Sequence, residues 1–116
     1  MPITSRYLFT ASMDVDAAKD ALFNEVYDRE HVPTILKVPG VISALRFKRR
    51  PLEMIIGGER KKIVIEGEPT YTALYELEDP SVLVSAEFAK AVELGRWPGE
   101  VRPFTKNRKH FMWEKI

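Results

Sequence analysis

Apolar and polar residues alternate from Arg6 to Met13, with Tyr7, Phe9, Ala11 and Met13 on one side and Leu8, Thr10 and Ser12 on the other. A period of two is that of a strand with two distinct faces. The period then changes. Ala18, Leu22 and Val26 recur at four-residue spacing, and Phe23, Tyr27 and His31 form a neighbouring stripe. Together they predict an amphipathic helix with one broad buried face, which Asp14 or Asp16 is placed to cap. Pro33 has no backbone donor and disfavours helical geometry at Val32. The regular helix is therefore expected to end near His31, with a short extra turn over Thr34 to Lys37.

Pro39-Gly40 opens a second strand, Val41 to Arg50, with Val41, Ser43, Leu45 and Phe47 on one face and Ile42, Ala44, Arg46 and Lys48 on the other. A third strand runs from Thr70 to Leu77. Asp79-Pro80 then starts a second helix, a capping carboxylate followed by a proline in the first turn. That helix breaks at Ser85 and ends at Gly95. Arg96 to Phe104 reads as loop, and a last strand spans about Asn107 to Lys115. The order βαββαβ consists of two split units. They predict an α+β, ferredoxin-like fold: a four-stranded antiparallel sheet with both helices on one face. Leu52 to Pro69 exceeds this plan. Met54-Ile55-Ile56, Gly57-Gly58 and Ile63-Val64-Ile65 read as an inserted hairpin around a glycine turn.

Composition narrows the function classes. The 116 residues predict one domain, residues 1–116, and the 45% apolar and 30% charged residues are those of a folded globular chain. A net charge of +1 sets up no global field toward nucleic acid or lipid. The absence of cysteine removes disulfides, thiolate catalysis and sulfur-ligated metals. Neither a signal-peptide core nor a membrane-length apolar run is present, so the expected location is cytoplasmic, with no membrane partner. No P-loop, dinucleotide fingerprint or serine elbow occurs, and the two histidines lie too far apart in sequence to suggest a metal site. RNA-recognition domains share this element order, yet Glu66-Gly67-Glu68-Pro69 stands where their stacking motif would precede the third strand; no nucleic-acid partner is expected.

The candidate chemistry centres on His31, one turn after Tyr27. At a helix C-terminus the dipole would favour the imidazolium and raise its pKa. Two readings stand side by side: an acid–base group in a cavity, or a ring that bonds a carbonyl of the Pro33–Pro39 turn and locks the helix exit. Glu30 is expected to be a solvated carboxylate. Thr10, Ser12, Arg46, Tyr71, Tyr75 and His110 lie on strands, and some of them are expected to line the sheet face that the helices leave open. Arg46 interrupts an apolar face and is a candidate for an anionic group, or else an exposed strand-end arginine. Trp97, beside Pro98-Gly99, is a pocket lid or a loop anchor.

The spacing Phe23-x3-Tyr27-x3-His31-x-Pro33, then Pro39-Gly40, resembles the EthD-like branch of the dimeric α/β-barrel superfamily, as does Ala73-Leu74-Tyr75-Glu76-Leu77-Glu78-Asp79-Pro80. The resemblance implies two chains whose sheets pack into a barrel with a pocket in each subunit. It also implies a range of chemistries, from cofactor-independent oxygenases, isomerases and cyclases to haem-handling proteins. The resulting expectation is a homodimer that encloses a small apolar or aromatic ligand. The leading function is a cofactor-independent, proton-transfer enzyme acting on an aromatic or cyclic organic acid or ketone. In it His31 is acid or base, Tyr27 orients it or polarises a carbonyl, and Arg46, Tyr75, His110 and Trp97 contact substrate. A non-catalytic ligand-binding or stress-related barrel is the alternative, and a haem-handling protein the third.

Overall fold

A computed structural model describes residues 3–116. Four strands, β1 (Tyr7–Val15), β2 (Val41–Lys48), β5 (Tyr71–Leu77) and β6 (Thr105–Glu114), form an antiparallel sheet in the order β2-β5-β1-β6. The two split units therefore interleave, with the first and third of these strands in the middle, as the ferredoxin-like reading requires. The insertion is a separate hairpin, β3 (Leu52–Ile56) and β4 (Glu59–Ile63), with Leu52 opposite Ile63 and Ile56 opposite Glu59. Gly57 and Gly58, at φ of +60° and +83°, supply the two left-handed residues that a tight hairpin turn demands.

One side of the sheet carries Ala11, Met13, Tyr71, Ala73, Tyr75 and Leu77, all buried. They pack against Phe23 and Val26 of helix α1 (Asp20–Val26), against Ile35 of α2 (Val32–Ile35) and against Ala91 of α3 (Ala86–Ala91). Phe23 and Val26 are fully covered; each contributes about 1.5–3 kcal/mol by leaving water. Ala18 does not join this face: it is exposed, in a 3-10 turn (Ala17–Lys19) ahead of α1. Neither acid caps that helix. Asp16 makes no capping bond, and Asp14 instead accepts from the backbone N–H of Thr70 (2.7 Å) and from Asn107 (3.0 Å). At the second helix the expected caps do form. Asp79 accepts from the Ser81 N–H, and Ser85 both ends one turn and caps α3 through the Phe88 N–H.

The first helix does not stop at His31. Between α1 and α2 the chain makes one π turn (Tyr27–His31), in which the Val32 N–H reaches back five residues to the Tyr27 carbonyl. That wider turn gives the Pro33 ring room that an α-helix denies it, so the helical path continues to Ile35. Arg96 to Phe104 is not irregular either. It forms a π turn (Trp97–Val101) and a 3-10 turn (Arg102–Phe104), with Pro98 and Pro103 where an N–H would have no partner in any case.

Two bulges set the faces. In β2 the register shifts at Ile42, so Val41 lies opposite Leu77 on the covered side while Ser43, Leu45 and Phe47 face away. In β6 it shifts opposite Met13, where Asn107 and Arg108 together oppose one residue of β1. The uncovered side carries Leu45, Phe47, Phe111 and Trp113, all 50% or more exposed, around Leu8, Thr10 and Leu74. At one edge of that side the buried Glu76 carboxylate accepts from Ser43 (2.5 Å) and from the Thr4 and Ser5 backbone and the Ser5 hydroxyl. It thereby pins the N-terminal arm.

Candidate active site

A cavity of about 240 Å³ opens between the covered side of the sheet and the helices. Its apolar wall includes Phe9, Ala11, Met13, Ile35, Phe88 and Val92; its polar groups are Tyr27, His31, Tyr75, Arg102, Arg108 and His110. The site thus lies on the opposite side of the sheet from the one expected. Thr10 and Ser12 face away from it, and Tyr71, Tyr75, Arg46 and His110 share the side of Ala11. The reason is register: Tyr75 lies opposite Phe9, and both His110 and Ala73 lie opposite Ala11, whose side chain points at the helices.

The π turn presents Tyr27 and His31 side by side, ring centroids 5.1 Å apart and perpendicular. Trp97 stacks flat on His31 at 4.2 Å and meets Tyr27 edge-on at 4.9 Å. Trp97 is therefore a buried wall rather than a lid. What holds it there is Glu30, whose carboxylate accepts from the Arg96 N–H (3.0 Å) and from Arg96 Nε (2.6 Å). Glu30 is thus a clamp and not the solvated carboxylate expected from sequence, and the arginine keeps its pKa below the usual range, first through the backbone bond. Gly95 makes the clamp possible. Its φ is +69°, and a Cβ there would sit 2.7 Å from Glu30 Oε1.

His31 is buried, and among the described residues its ring bonds no carbonyl of the Pro33–Pro39 turn. The turn-lock reading has no bond behind it. The expected upward pKa shift is reversed as well: the imidazole is lowered to about 4 by burial, with the Arg102 and Arg108 charges adding to it. The helix runs on past His31, so the dipole end is not at the ring and desolvation decides the sign. Burial likewise pushes the phenols of Tyr27 and Tyr75 up, so both remain donors at neutral pH.

Arg46 does not reach the cavity. It pairs with Asp28 (2.8 Å), donates to Asn24 Oδ1 (2.9 Å) and lies over the outer face of Tyr27, 4.3 Å from the ring centroid. It braces the tyrosine from behind, a cation–π contact of roughly 0.5–2 kcal/mol. His110 sits at the exposed rim, edge-on to Phe9 at 5.8 Å; loss of solvent, then the Arg108 charge, lowers its pKa. Sequence reasoning missed Arg102 and Arg108. Only the bulge at Asn107, with φ of +54°, brings Arg108 to the cavity, and that single αL residue was the available signal. Among the described residues, no three His, Asp or Glu side chains gather as a metal site would require.

This fold is that of several solved structures, all at low identity. A variant of MhuD with two manganese protoporphyrin IX bound per active site superposes with a TM-score of 0.63 at 10% identity, covering 95% of this chain and 94% of that one. MhuD is described as a heme-degrader from Mycobacterium tuberculosis. A putative antibiotic biosynthesis monooxygenase from Bordetella bronchiseptica gives 0.61 at 15% identity, covering 97% and 99%. An EthD family protein from Bacillus halodurans gives 0.57 at 12%, covering 95% and 99%. The ferredoxin-like fold of the monooxygenase and EthD-type structures is thus the fold of this chain, as the resemblance in its first helix implied. No family model and no curated protein matches the chain.

Proposed function

We propose that this protein is a cofactor-independent enzyme that removes a proton from a small aromatic or cyclic acid or ketone, with His31 as the base. One observation carries the reading. A neutral imidazole without a hydrogen-bond partner among the described residues stands at an apolar cavity that two guanidinium groups also line. In dry surroundings a lone imidazolium is costly, which is why the pKa is low. Proton transfer from a ligand creates an enolate or phenolate beside it. The attraction between the two charges, with the guanidiniums near, then recovers what burial took from the cation. Tyr27 and Tyr75 stay protonated and serve as donors to the developing oxyanion, and Trp97 fixes the plane of the base. An anion so formed is the species from which isomerisation, cyclisation or reaction with oxygen proceeds. The working unit is a homodimer that buries the uncovered apolar side of the sheet.

The neighbours' descriptions raise haem as a ligand, with His31 or His110 as the residue that would face the iron. The cavity does not fit it: about 240 Å³ is below even the ~300–1,000 Å³ typical of sites for drug-sized molecules. A ligand of one or two rings fits.

The test uses 1-indanone, whose α-proton exchange in D2O is followed by NMR. The protein should accelerate the exchange and His31→Asn should lose about two to four orders of magnitude of that acceleration, with its melting temperature within a few degrees. The acid limb of the wild-type profile should fall near pH 4, where the base becomes protonated. A ketone that binds without faster exchange would leave a non-catalytic binding protein as the better account.

A further inference from the structure

Arg108 is the solvent-exposed guanidinium at the rim of the cavity. Its Nε donates to Thr105 Oγ1 (3.1 Å), and among the described residues no carboxylate pairs with it. Arg102, the other cavity guanidinium, is already engaged by both oxygens of Glu93 (3.0 Å each) and by the Val92 carbonyl (2.7 Å). Among the described residues no acidic side chain lines the cavity, so the Arg108 charge stands uncompensated beside an apolar floor. The local backbone is shaped to deliver this one residue. Asn107 holds a φ of +54°, and its side-chain amide is anchored by Asp14 (3.0 Å) and by the Gly67 carbonyl (2.8 Å). An αL position at a non-glycine residue is uncommon and persists because those bonds fix it. Without the bulge, Asn107 and Arg108 would not both oppose Met13, and the side-chain alternation of β6 beyond it would shift by one face.

We propose that the cavity selects organic anions, one- or two-ring carboxylates above all, and that Arg108 is the residue that selects them by a two-pronged contact at the rim while the ring lies on Phe9, Met13 and Phe88. This rests on the proton-transfer reading for the site's purpose but not for its binding. A guanidinium fork matches a carboxylate in plane, and each charge-assisted bond is stronger than a neutral one. Arg46, the arginine that sequence alone suggested for this task, is spent on Asp28, Asn24 and Tyr27.

Calorimetric titration with 2-naphthoate and its neutral isostere 2-naphthamide tests the assignment. The wild type should bind the acid at least tenfold more tightly than the amide, and added salt should weaken the acid alone. Arg108→Gln should abolish that preference while amide binding remains, Arg108→Lys should restore part of it, and Arg46→Gln should leave it in place. Equal binding of acid and amide by the wild type, or a preference that survives Arg108→Gln, overturns the proposal, as does failure of both compounds to bind. His31→Asn separates the two readings. Retained preference for the acid without proton exchange removes the catalytic reading alone; 1-indanone exchange in a wild type without acid preference removes this one alone.

Discussion

At the scale of single residues, the decisive quantity is the cost of charging His31. An unperturbed histidine titrates near pH 6.5, and this one near 4. A base whose pKa is depressed by folding adds stability above its unfolded pKa, because there neither state holds the proton and nothing is lost. As pH falls from about 6.5 toward 4 the unfolded chain takes up the proton first, and the folded state loses ground. The loss amounts to about 3 kcal/mol by pH 4. Carboxylates held low by their bonds, Glu30 and Asp14 among them, lose stability at the acid end too. The clean measurement is therefore a difference. Urea unfolding of His31→Asn against the parent should show the variant gaining about that amount between pH 7 and pH 4. Parallel profiles would mean that the imidazole is wetter than its surroundings indicate.

At the scale of elements, the site is built from the places where regular structure is interrupted. A π turn aims Tyr27 and His31, a bulge aims Arg108, and a helix end at Gly95 hands the chain to Trp97. The last is the most exposed to a small change. Gly95→Ala forces a methyl group into a left-handed position and against Glu30 Oε1, which accepts from the Arg96 N–H while the other carboxylate oxygen accepts from Arg96 Nε. The expected cost is about 1–3 kcal/mol, or roughly 4–8 °C of melting temperature per kcal/mol for a domain of this size. Quenching of tryptophan fluorescence by acrylamide should also rise as Trp97 loosens from His31. A variant that melts with the parent would show that Glu30 gives way freely and that the clamp is not what positions the indole.

At the scale of the whole molecule, an apolar sheet face and an apolar hairpin are left in water. Leu45 and Phe47 on one edge strand and Phe111 and Trp113 on the other are bridged across the face by Leu74, Thr10 and Leu8, and Ile55 of the hairpin is 73% exposed. Such surfaces mark association sites, and a two-stranded hairpin gains stability from a partner. Light scattering should return about twice the chain mass of 13.4 kDa. Leu45→Asp, on the edge strand β2 of that face, should give monomers that keep their secondary structure by circular dichroism. Replacing Met54 to Ile65 by a short turn should weaken association without unfolding the sheet. A monomeric parent would defeat the barrel arrangement; unchanged association after the deletion would confine the hairpin to its own chain.

Much of this molecule was legible in the chain because periodicity is a local property. Two-residue alternation named β1, the Phe23-Tyr27-His31 stripe named the buried side of the first helix, and Pro39-Gly40, Gly57-Gly58 and Asp79-Pro80 marked their turns. Element order then yielded the antiparallel sheet. His31, Tyr27, Tyr75, Trp97 and His110 do meet at one cavity. What needed the tertiary structure was which side of each strand looks at the helices, because one bulge reverses that alternation and leaves almost no trace in residue type. Hence Arg108 lines the cavity unannounced, while Arg46, on the helix side as its strand face suggested, is taken up by Asp28, Asn24 and Tyr27. The sign of the His31 shift also needed it: a sequence shows the nearby helix end but not the depth of burial, and in a dry cavity desolvation outweighs a dipole.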